Sequence, residues 1–317
     1  MNSRKKLKMG VVGVGSLGQW HARVYSELDT VELVGLYDRD AARAAEIAAK
    51  YGTRVFGSME ALADQVEAAS IVVPTDKHFE VARIFMERGR HLLVEKPIAD
   101  NTADAEAMVA MSQKQRVILQ VGHVERFNPV MDYLEKALTN PRFIEAIRLA
   151  PYPPPREGLP PRGTEVSVVL DLMIHDLEII LHLVRAPVRE IRAVGVPVLS
   201  PTEDIANVRL AFENGCVANI TASRISQERT RKIRVFQPDT YVSLDYQNQS
   251  GRIMHKTKDG IVPGLIPIEK GEPLARELAS FAACVIQHNE PVVGAAHAAE
   301  ALRLAVTICQ TIRAGGP

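Results

Sequence analysis

Lys8 to Leu28 reads KMGVVGVGSLGQWHARVYSEL. It begins as an apolar run, turns at Gly13, Gly15 and Gly18, and continues with helical periodicity. An apolar strand that passes through G-x-G-x-x-G straight into a helix is a phosphate-cradling turn. Gly13 permits the tight turn, Gly15 lets a pyrophosphate approach the backbone, and Gly18 lets the helix pack close to the strand; Ser16 and Leu17 complete the loop. The free amides and partial positive charge of a helix N-terminus suit phosphate oxygens. Asp38 stands twenty positions after Gly18, at the end of the next apolar run, where an acid receives a ribose 2′-hydroxyl. It would repel a 2′-phosphate, so the pattern predicts NAD over NADP. Arg39 is the competing signal, because its guanidinium is placed to turn toward such a phosphate.

Outward from this stretch, short Val/Ile/Leu runs alternate with amphipathic segments as far as Val121: VELVGLYD, ASIVVP, RHLLVEKP and RVILQVG, with DAARAAEIAAKYG and KHFEVARIFMERG between them. Near-continuous apolar strands separated by helices predict a parallel, doubly wound α/β sheet of the Rossmann type. After Gly122 the character changes. A helix over NPVMDYLEKALTN is followed by a strand, a proline-rich stretch (PYPPPREGLPPRG) and a long helical segment, VSVVLDLMIHDLEIILHLV. Four or five strand-like runs then lead to DYQ, with turn signals at ENGC and QPDT, and two helices close the chain. This half is expected to be an α+β domain with a large, mainly antiparallel, open-faced sheet. The composition shift puts the boundary between a dinucleotide-binding domain over 1–122 and a substrate-binding and oligomerisation domain over 123–317.

The 317 residues carry 38 Lys and Arg against 38 Asp and Glu, so no excess positive charge is present to hold a nucleic-acid backbone. No apolar run is long enough to span a bilayer. The basic N-terminus leads into the glycine turn with no small-residue cleavage pattern, so a cytoplasmic protein is expected. Cys216, Cys284 and Cys309 are far apart and odd in number, which predicts buried free thiols and neither a disulfide framework nor a metal site.

A second set of signals lies beyond the glycine turn. LLVEKPIAD ends an apolar run with Glu95, Lys96 and Pro97, and a lysine at a strand end is either solvated or part of a site. Asp171 and His175, spaced i, i+4, share a helix face, and Glu178 and His182 extend a polar stripe. The Rossmann half, EKP at the end of the fourth apolar run, GHVERFNP at the domain junction and D-x-x-x-H in a later helix together resemble the glucose–fructose oxidoreductase and inositol dehydrogenase family (Gfo/Idh/MocA). The resemblance covers essentially the whole chain and implies an NAD(P)-dependent dehydrogenase. It implies that Lys96 stands beside the nicotinamide and the substrate hydroxyl, that Glu95 meets the cofactor, and that His175 is the general base, with Asp171 orienting it or binding a hydroxyl. A histidine suits proton exchange because its ordinary pKa, roughly 6.5, lies near working pH. His182 is taken as a structural residue. By position and resemblance, Pro74, Thr75 and His78 line the nicotinamide side, Asn128 sits beside the cofactor, and His123 and Arg126 contact substrate, with an interdomain ion pair as the alternative for Arg126.

The implied chemistry is oxidation of a secondary hydroxyl of a sugar. GHVERFNP, LDLMIHDLEIIL and the stretches GVPVLS, EDIANVRLAFENGCVANITASR and RKIRVFQPDTYVSLDYQ further resemble UDP-N-acetylglucosamine 3-dehydrogenases, whose 3-keto product goes to an aminotransferase on the way to lipid A precursors. A UDP substrate needs cations for its diphosphate. Arg156, Arg162 and Arg224 are candidates, as is the cluster Arg229, Arg231, Lys232 and Arg234, of which at most half can face one ligand from a strand. The alternatives are a dehydrogenase of a free cyclitol such as an inositol, and a non-catalytic NAD(P)-binding regulator. Alternation of large apolar and polar residues in RKIRVFQ and TYVSLDY predicts a homodimer or homotetramer joined through that sheet.

Overall fold

The structure, a computed structural model, describes residues 5–156 and 161–315. Residues 1–4, 157–160 and 316–317, and with them part of the basic start of the chain and part of the proline-rich stretch, lie outside the described residues. The chain packs as two compact units, one formed by 1–127 and 272–300, the other by 128–271 and 301–317.

The first unit is built on a parallel sheet of β1 (Leu7–Val12), β2 (Val31–Tyr37), β3 (Arg54–Val55), β4 (Ala68–Ile71), β5 (His91–Glu95) and β6 (Leu119–Gly122). Their order is β3-β2-β1-β4-β5-β6, so the winding direction reverses between β1 and β4. Loops at the carboxyl ends of strands beside such a reversal form the crevice where open α/β sheets bind ligands. Five of these strands are the five apolar runs of the sequence; β3 has two exposed residues and no apolar signature. The crossovers are α1 (Gly18–Glu27), α2 (Ala41–Tyr51), α3 (Met59–Ala63), α4 (His78–Met86) and α5 (Thr102–Gln115). Capping follows local chemistry: the side chains of Asp40 and Asn101 accept from backbone amides of the first turns of α2 and α5, and Gly52 ends α2 in the left-handed region.

A later segment completes this unit. Helix α8 (Pro273–Gln287) places Leu278, Phe281, Ala282 and Val285 in the same core as Val11, Ala22, Tyr25 and Ile47. The Val121 amide donates to the Val293 carbonyl at 3.0 Å, which ties the end of that segment to β6. The composition shift at Gly122 and the division of the packed units at Phe127 therefore differ. Composition marks the change of strand type, whereas packing is decided by which apolar faces meet, and the inward stripe of α8 meets the first core.

The second unit carries an eight-stranded sheet, in the order β14-β13-β12-β11-β7-β10-β9-β8. The strands are β7 (Phe143–Leu149), β8 (Val188–Val196), β9 (Ile205–Phe212), β10 (Val217–Ser223), β11 (Thr230–Phe236), β12 (Thr240–Asp245), β13 (Ser250–Thr257) and β14 (Gly260–Ile266). Only the β7–β10 pair is parallel. ENGC forms the β9–β10 hairpin, where the Asn214 side chain accepts from the Cys216 amide, and QPDT forms the β11–β12 turn. Helices α6 (Pro129–Ala137) and α7 (Ile174–Val184) belong to this unit; the last helix, α9, spans Ala295–Arg313. Among the described residues no helix is long and apolar enough to cross a membrane.

Candidate active site

The glycine turn has the form that a pyrophosphate requires. Gly13 has φ +84°, and a Cβ there would stand 2.5 Å from the Val72 carbonyl oxygen. A Cβ on Gly18 would run into the carbonyl of Gly13, whereas nothing lies within 4 Å of one on Gly15. Two glycines are thus closed in by backbone, and the third opens onto space where a ligand can approach. Asp38, just past β2, binds this loop: its Oδ2 accepts from the Val14 amide at 2.6 Å and its Oδ1 from the Asp40 amide at 2.9 Å. Arg43, in the first turn of α2, donates from Nε to the Val14 carbonyl at 3.2 Å. This guanidinium beside the loop has no motif signature, because it lies between sequence-neighbours of no special type. Arg39 is exposed. The loop, the open Gly15 and an acid at the strand end fit a dinucleotide, whose ribose and pyrophosphate Asp38 and residues 13–18 would hold.

At the end of β5, the Glu95 carboxylate is buried and points into the unit. Its Oε1 lies 3.2 Å from Nε2 of His21 on α1, and its Oε2 accepts from the Lys96 amide at 3.3 Å. Burial resists its ionisation, but the hydrogen bond and charge of His21 and the nearby Lys96 outweigh that and hold the carboxyl below its ordinary pKa. The resemblance implies that Glu95 meets the cofactor; within the protein its carboxylate is held by His21 and the Lys96 amide. Lys96 is half-buried and joined to Pro97 by a cis peptide bond. Pro74 and Thr75 lie at a short 3₁₀ turn after β4, with Pro74 exposed and Thr75 half-buried. His78 is buried, with Nδ1 at 2.9 Å from the Pro97 carbonyl oxygen and Nε2 at 3.0 Å from that of Val73. Both ring nitrogens thus lie against backbone carbonyls, and the neutral imidazole that burial favours donates its one N–H to one of them. His123 and Arg126 are buried in and beside the 3₁₀ turn Val124–Phe127.

The second unit holds the other candidates. Asp171 lies not in α-helix but in a π-turn, Val169–Met173, that runs into α7; the Ile174 amide reaches the Val169 carbonyl five residues back. Such wide turns concentrate at functional sites. The carboxylate of Asp171 lies against Gly163, where a Cβ would meet Oδ2 at 2.5 Å. His175, half-buried, follows in the first turn of α7. The polar stripe expected through Glu178 and His182 does not continue: Glu178 is fully buried, and His182 meets Glu135 at 3.1 Å near the surface. Asp176 instead forms a buried two-pronged pair with Arg148, at 2.7 and 3.0 Å. Asn128 caps α6, its Oδ1 accepting from the Val130 amide and its Nδ2 donating to the Tyr246 carbonyl.

Of the candidate diphosphate cations, Arg156 and Arg162 are exposed. Arg224 is not available. It is 2% exposed and spends its donors on Asp204, Ser200, Thr202 and the carbonyls of Gly163 and Val166. Lys232 and Arg234 share one face of β11 and pair across it with Asp245 and Glu145, while Arg231 alternates to the other face. Among the described residues no cluster of three or more His, Cys, Asp or Glu could hold a metal ion.

Residues 7–123 match the model described as the oxidoreductase family with an NAD-binding Rossmann fold, and residues 134–239 match the Gfo/Idh/MocA C-terminal domain. The chain is 38% identical over 314 residues to a UDP-N-acetylglucosamine 3-dehydrogenase of Acidithiobacillus ferrooxidans, covering 95% of this chain and 97% of that one. The solved structure of the Acidithiobacillus ferrooxidans UDP-N-acetylglucosamine 3-dehydrogenase GnnA superposes with a TM-score of 0.92, at 35% identity and over 98% of this chain and 99% of that one. A myo-inositol 2-dehydrogenase of Thermotoga maritima is 28% identical over 233 residues, 69% of each chain. With a glycine turn and acid suited to a dinucleotide, and family matches over both halves, the chain belongs to the Gfo/Idh/MocA family of NAD-binding oxidoreductases.

Proposed function

We propose that the protein uses NAD to oxidise a secondary hydroxyl of a nucleotide sugar, C3 of UDP-N-acetylglucosamine, to the 3-keto sugar. The observation that carries this reading is near-full-length similarity to a UDP-N-acetylglucosamine 3-dehydrogenase, together with Lys96, Asp171 and His175. In this reading residues 1–122 serve the cofactor, with Gly13 to Gly18, Asp38 and Thr75 as its contacts, and residues 123–317 serve the substrate. When bound, NAD supplies the hydride acceptor. His175 takes the hydroxyl proton as general base, and Asp171 orients the imidazole or the substrate. Lys96 donates a hydrogen bond to the reacting oxygen and supports its charge as the C–O bond becomes a carbonyl. His123, Arg126 and Arg162 contact the sugar nucleotide.

The 3-keto product suits an aminotransferase partner. Three buried free cysteines accord with a reducing, cytoplasmic location. Subunits join as a homodimer or homotetramer through the second sheet, whose strands β11, β13 and β14 leave Phe236, Met254, Ile261, Val262 and Leu265 exposed.

The test is NADH formation with UDP-N-acetylglucosamine, UDP-glucose and myo-inositol, with hydroxylamine present to trap ketone. Turnover on inositol alone would transfer the protein to the cyclitol dehydrogenases. Tight NADH binding with no turnover on any sugar would make it a regulator. Full activity of Lys96→Met or His175→Ala would remove those roles.

A further inference from the structure

The turn that carries Lys96 is gripped from two sides by buried histidines. On one side His21, fully buried on α1, reaches Oε1 of Glu95 at 3.2 Å, and the other oxygen of that carboxylate accepts from the Lys96 amide at 3.3 Å. The Glu95 carboxylate also lies against the Cα of Gly122 on β6, where a Cβ would stand 2.8 Å from Oε1. The carboxylate is thus fixed by α1, by the neighbouring strand and by the backbone of Lys96 itself. On the other side His78, at the start of α4, brings one ring nitrogen to the Pro97 carbonyl at 2.9 Å and the other to the Val73 carbonyl at 3.0 Å. Val73 follows β4 and Pro97 follows β5, so a single imidazole lies between the two loops at the carboxyl ends of adjacent strands and donates its one N–H to one of the two carbonyls, that of Pro97 being the nearer.

Neither histidine is needed to fill a core, since an apolar residue of similar size would do so without a polar group to satisfy. His21 sits on the apolar stripe of α1 with Gly18, Ala22 and Tyr25, a place where a buried polar residue requires a partner. Oriented supports of this kind fix the rotamers of the groups that meet a substrate.

We propose that His21, acting through Glu95, and His78, acting through the Pro97 carbonyl, are positioning residues that set the place of Lys96. The proposal rests on the reading of Lys96 as the group that meets the reacting oxygen. Displacement of such a group by about 1 Å can cost on the order of 100-fold in rate while leaving ligand binding nearly intact. A purely structural role would instead lower stability, with kcat and cofactor affinity changing together or not at all.

The experiment compares His21→Leu, His21→Gln, His78→Leu, His78→Asn and Lys96→Met, and each histidine-to-leucine change combined with Lys96→Met. It measures kcat and KM with NAD and UDP-N-acetylglucosamine, the NADH dissociation constant by fluorescence, and amide hydrogen exchange at residues 95–98 of the cofactor-free protein. Both leucine variants should lose roughly 10- to 100-fold in kcat with the NADH dissociation constant within about threefold, and should exchange faster at residues 95–98. His21→Gln keeps an N–H donor for Glu95 and should recover most of the rate. In the Lys96→Met background neither leucine change should cost anything further, because its effect runs through the missing side chain. If a leucine variant does not fold, the corresponding methionine variant, which also lacks the ring nitrogens, carries the same comparison. A folded apolar variant of either histidine with kcat and exchange like the wild type, or with an equal further loss in the Lys96→Met background, overturns the proposal for that histidine. Wild-type kcat in Lys96→Met itself removes the reading of Lys96 alone. Exchange at residues 95–98 then decides: faster exchange keeps the histidines as the supports of the turn, and unchanged exchange overturns that too.

Discussion

Asp38 accepts from the Val14 amide of the glycine turn and from the Asp40 amide of its own loop, and in the proposed reading its charge disfavours a 2′-phosphate. Asp38→Asn keeps an oxygen for the Val14 amide and removes the charge, leaving exposed Arg39 beside the site. The ratio of kcat/KM for NADP to that for NAD should rise by at least about tenfold, a factor that loss of like-charge repulsion can supply; steady-state kinetics with both cofactors measures it. An unchanged ratio would show that the carboxylate does not face the ribose. Glu277 on α8 is a different case, since neither of its carboxyl oxygens meets a hydrogen-bond partner among the described residues. Burial, and then the charge of Glu95, push its pKa well above the ordinary value. The folded protein therefore keeps a proton that the unfolded chain releases above about pH 4.3. Stability from this group is present below that pH and is lost as pH rises toward the folded pKa. Glu277→Gln has no proton to lose, so its Tm should gain on the wild type between about pH 5 and pH 8. A constant difference in Tm across that range would mean that Glu277 ionises normally when folded.

Helix ends and turns carry the next set of constraints. Helices α5, α7 and α8 end at Arg116, Arg185 and His288, all in the left-handed region and none of them glycine. An L side chain there costs roughly 1–2 kcal/mol. Arg116→Gly, at φ +54°, should stabilise by up to about 1 kcal/mol in thermal unfolding; a loss would show that the Arg116 side chain has a contact that outweighs its backbone strain. At the end of β10, Arg224 joins the 163–166 segment to the 198–204 loop through Asp204. Burial works against the Asp204 charge, but Ser200, Arg224 and the amides of Leu199 and Ser200 hold its carboxyl far below the usual range. Breaking such a pair from one side costs about 3–5 kcal/mol, so Arg224→Met should unfold at distinctly lower urea. Wild-type stability combined with a raised KM for the sugar nucleotide would return Arg224 to the ligand contacts. The π-turn at Asp171 was not legible, because one extra residue in a helical turn leaves the hydrophobic periodicity of VLDLMIHDL almost unchanged.

At the scale of the whole chain, the outer strands of the second sheet expose apolar side chains. β14 is the terminal strand, with Ile261 72% and Leu265 80% exposed, and an apolar edge of this kind invites pairing with another chain. Leu265→Asp should therefore shift the molar mass from light scattering toward smaller species. An unchanged mass would place the interface elsewhere or remove it. The β13–β14 hairpin was itself invisible in the sequence, since most of its residues are exposed on both faces and the period-two alternation that marks a half-buried strand is missing.

The amino-acid order alone determined the parallel first sheet, the glycine turn, Asp38 and the mainly antiparallel second sheet. Each of these is written in local periodicity or in a backbone requirement that only glycine meets. Packing decided the rest. That residues 272–300 return to the first unit, that Arg224 is a buried tie, and that His21 and His78 flank Lys96 all depend on pairs distant in the chain. A buried polar side chain takes its meaning from the partner that satisfies it, and that partner is fixed only when the strands and helices are brought together.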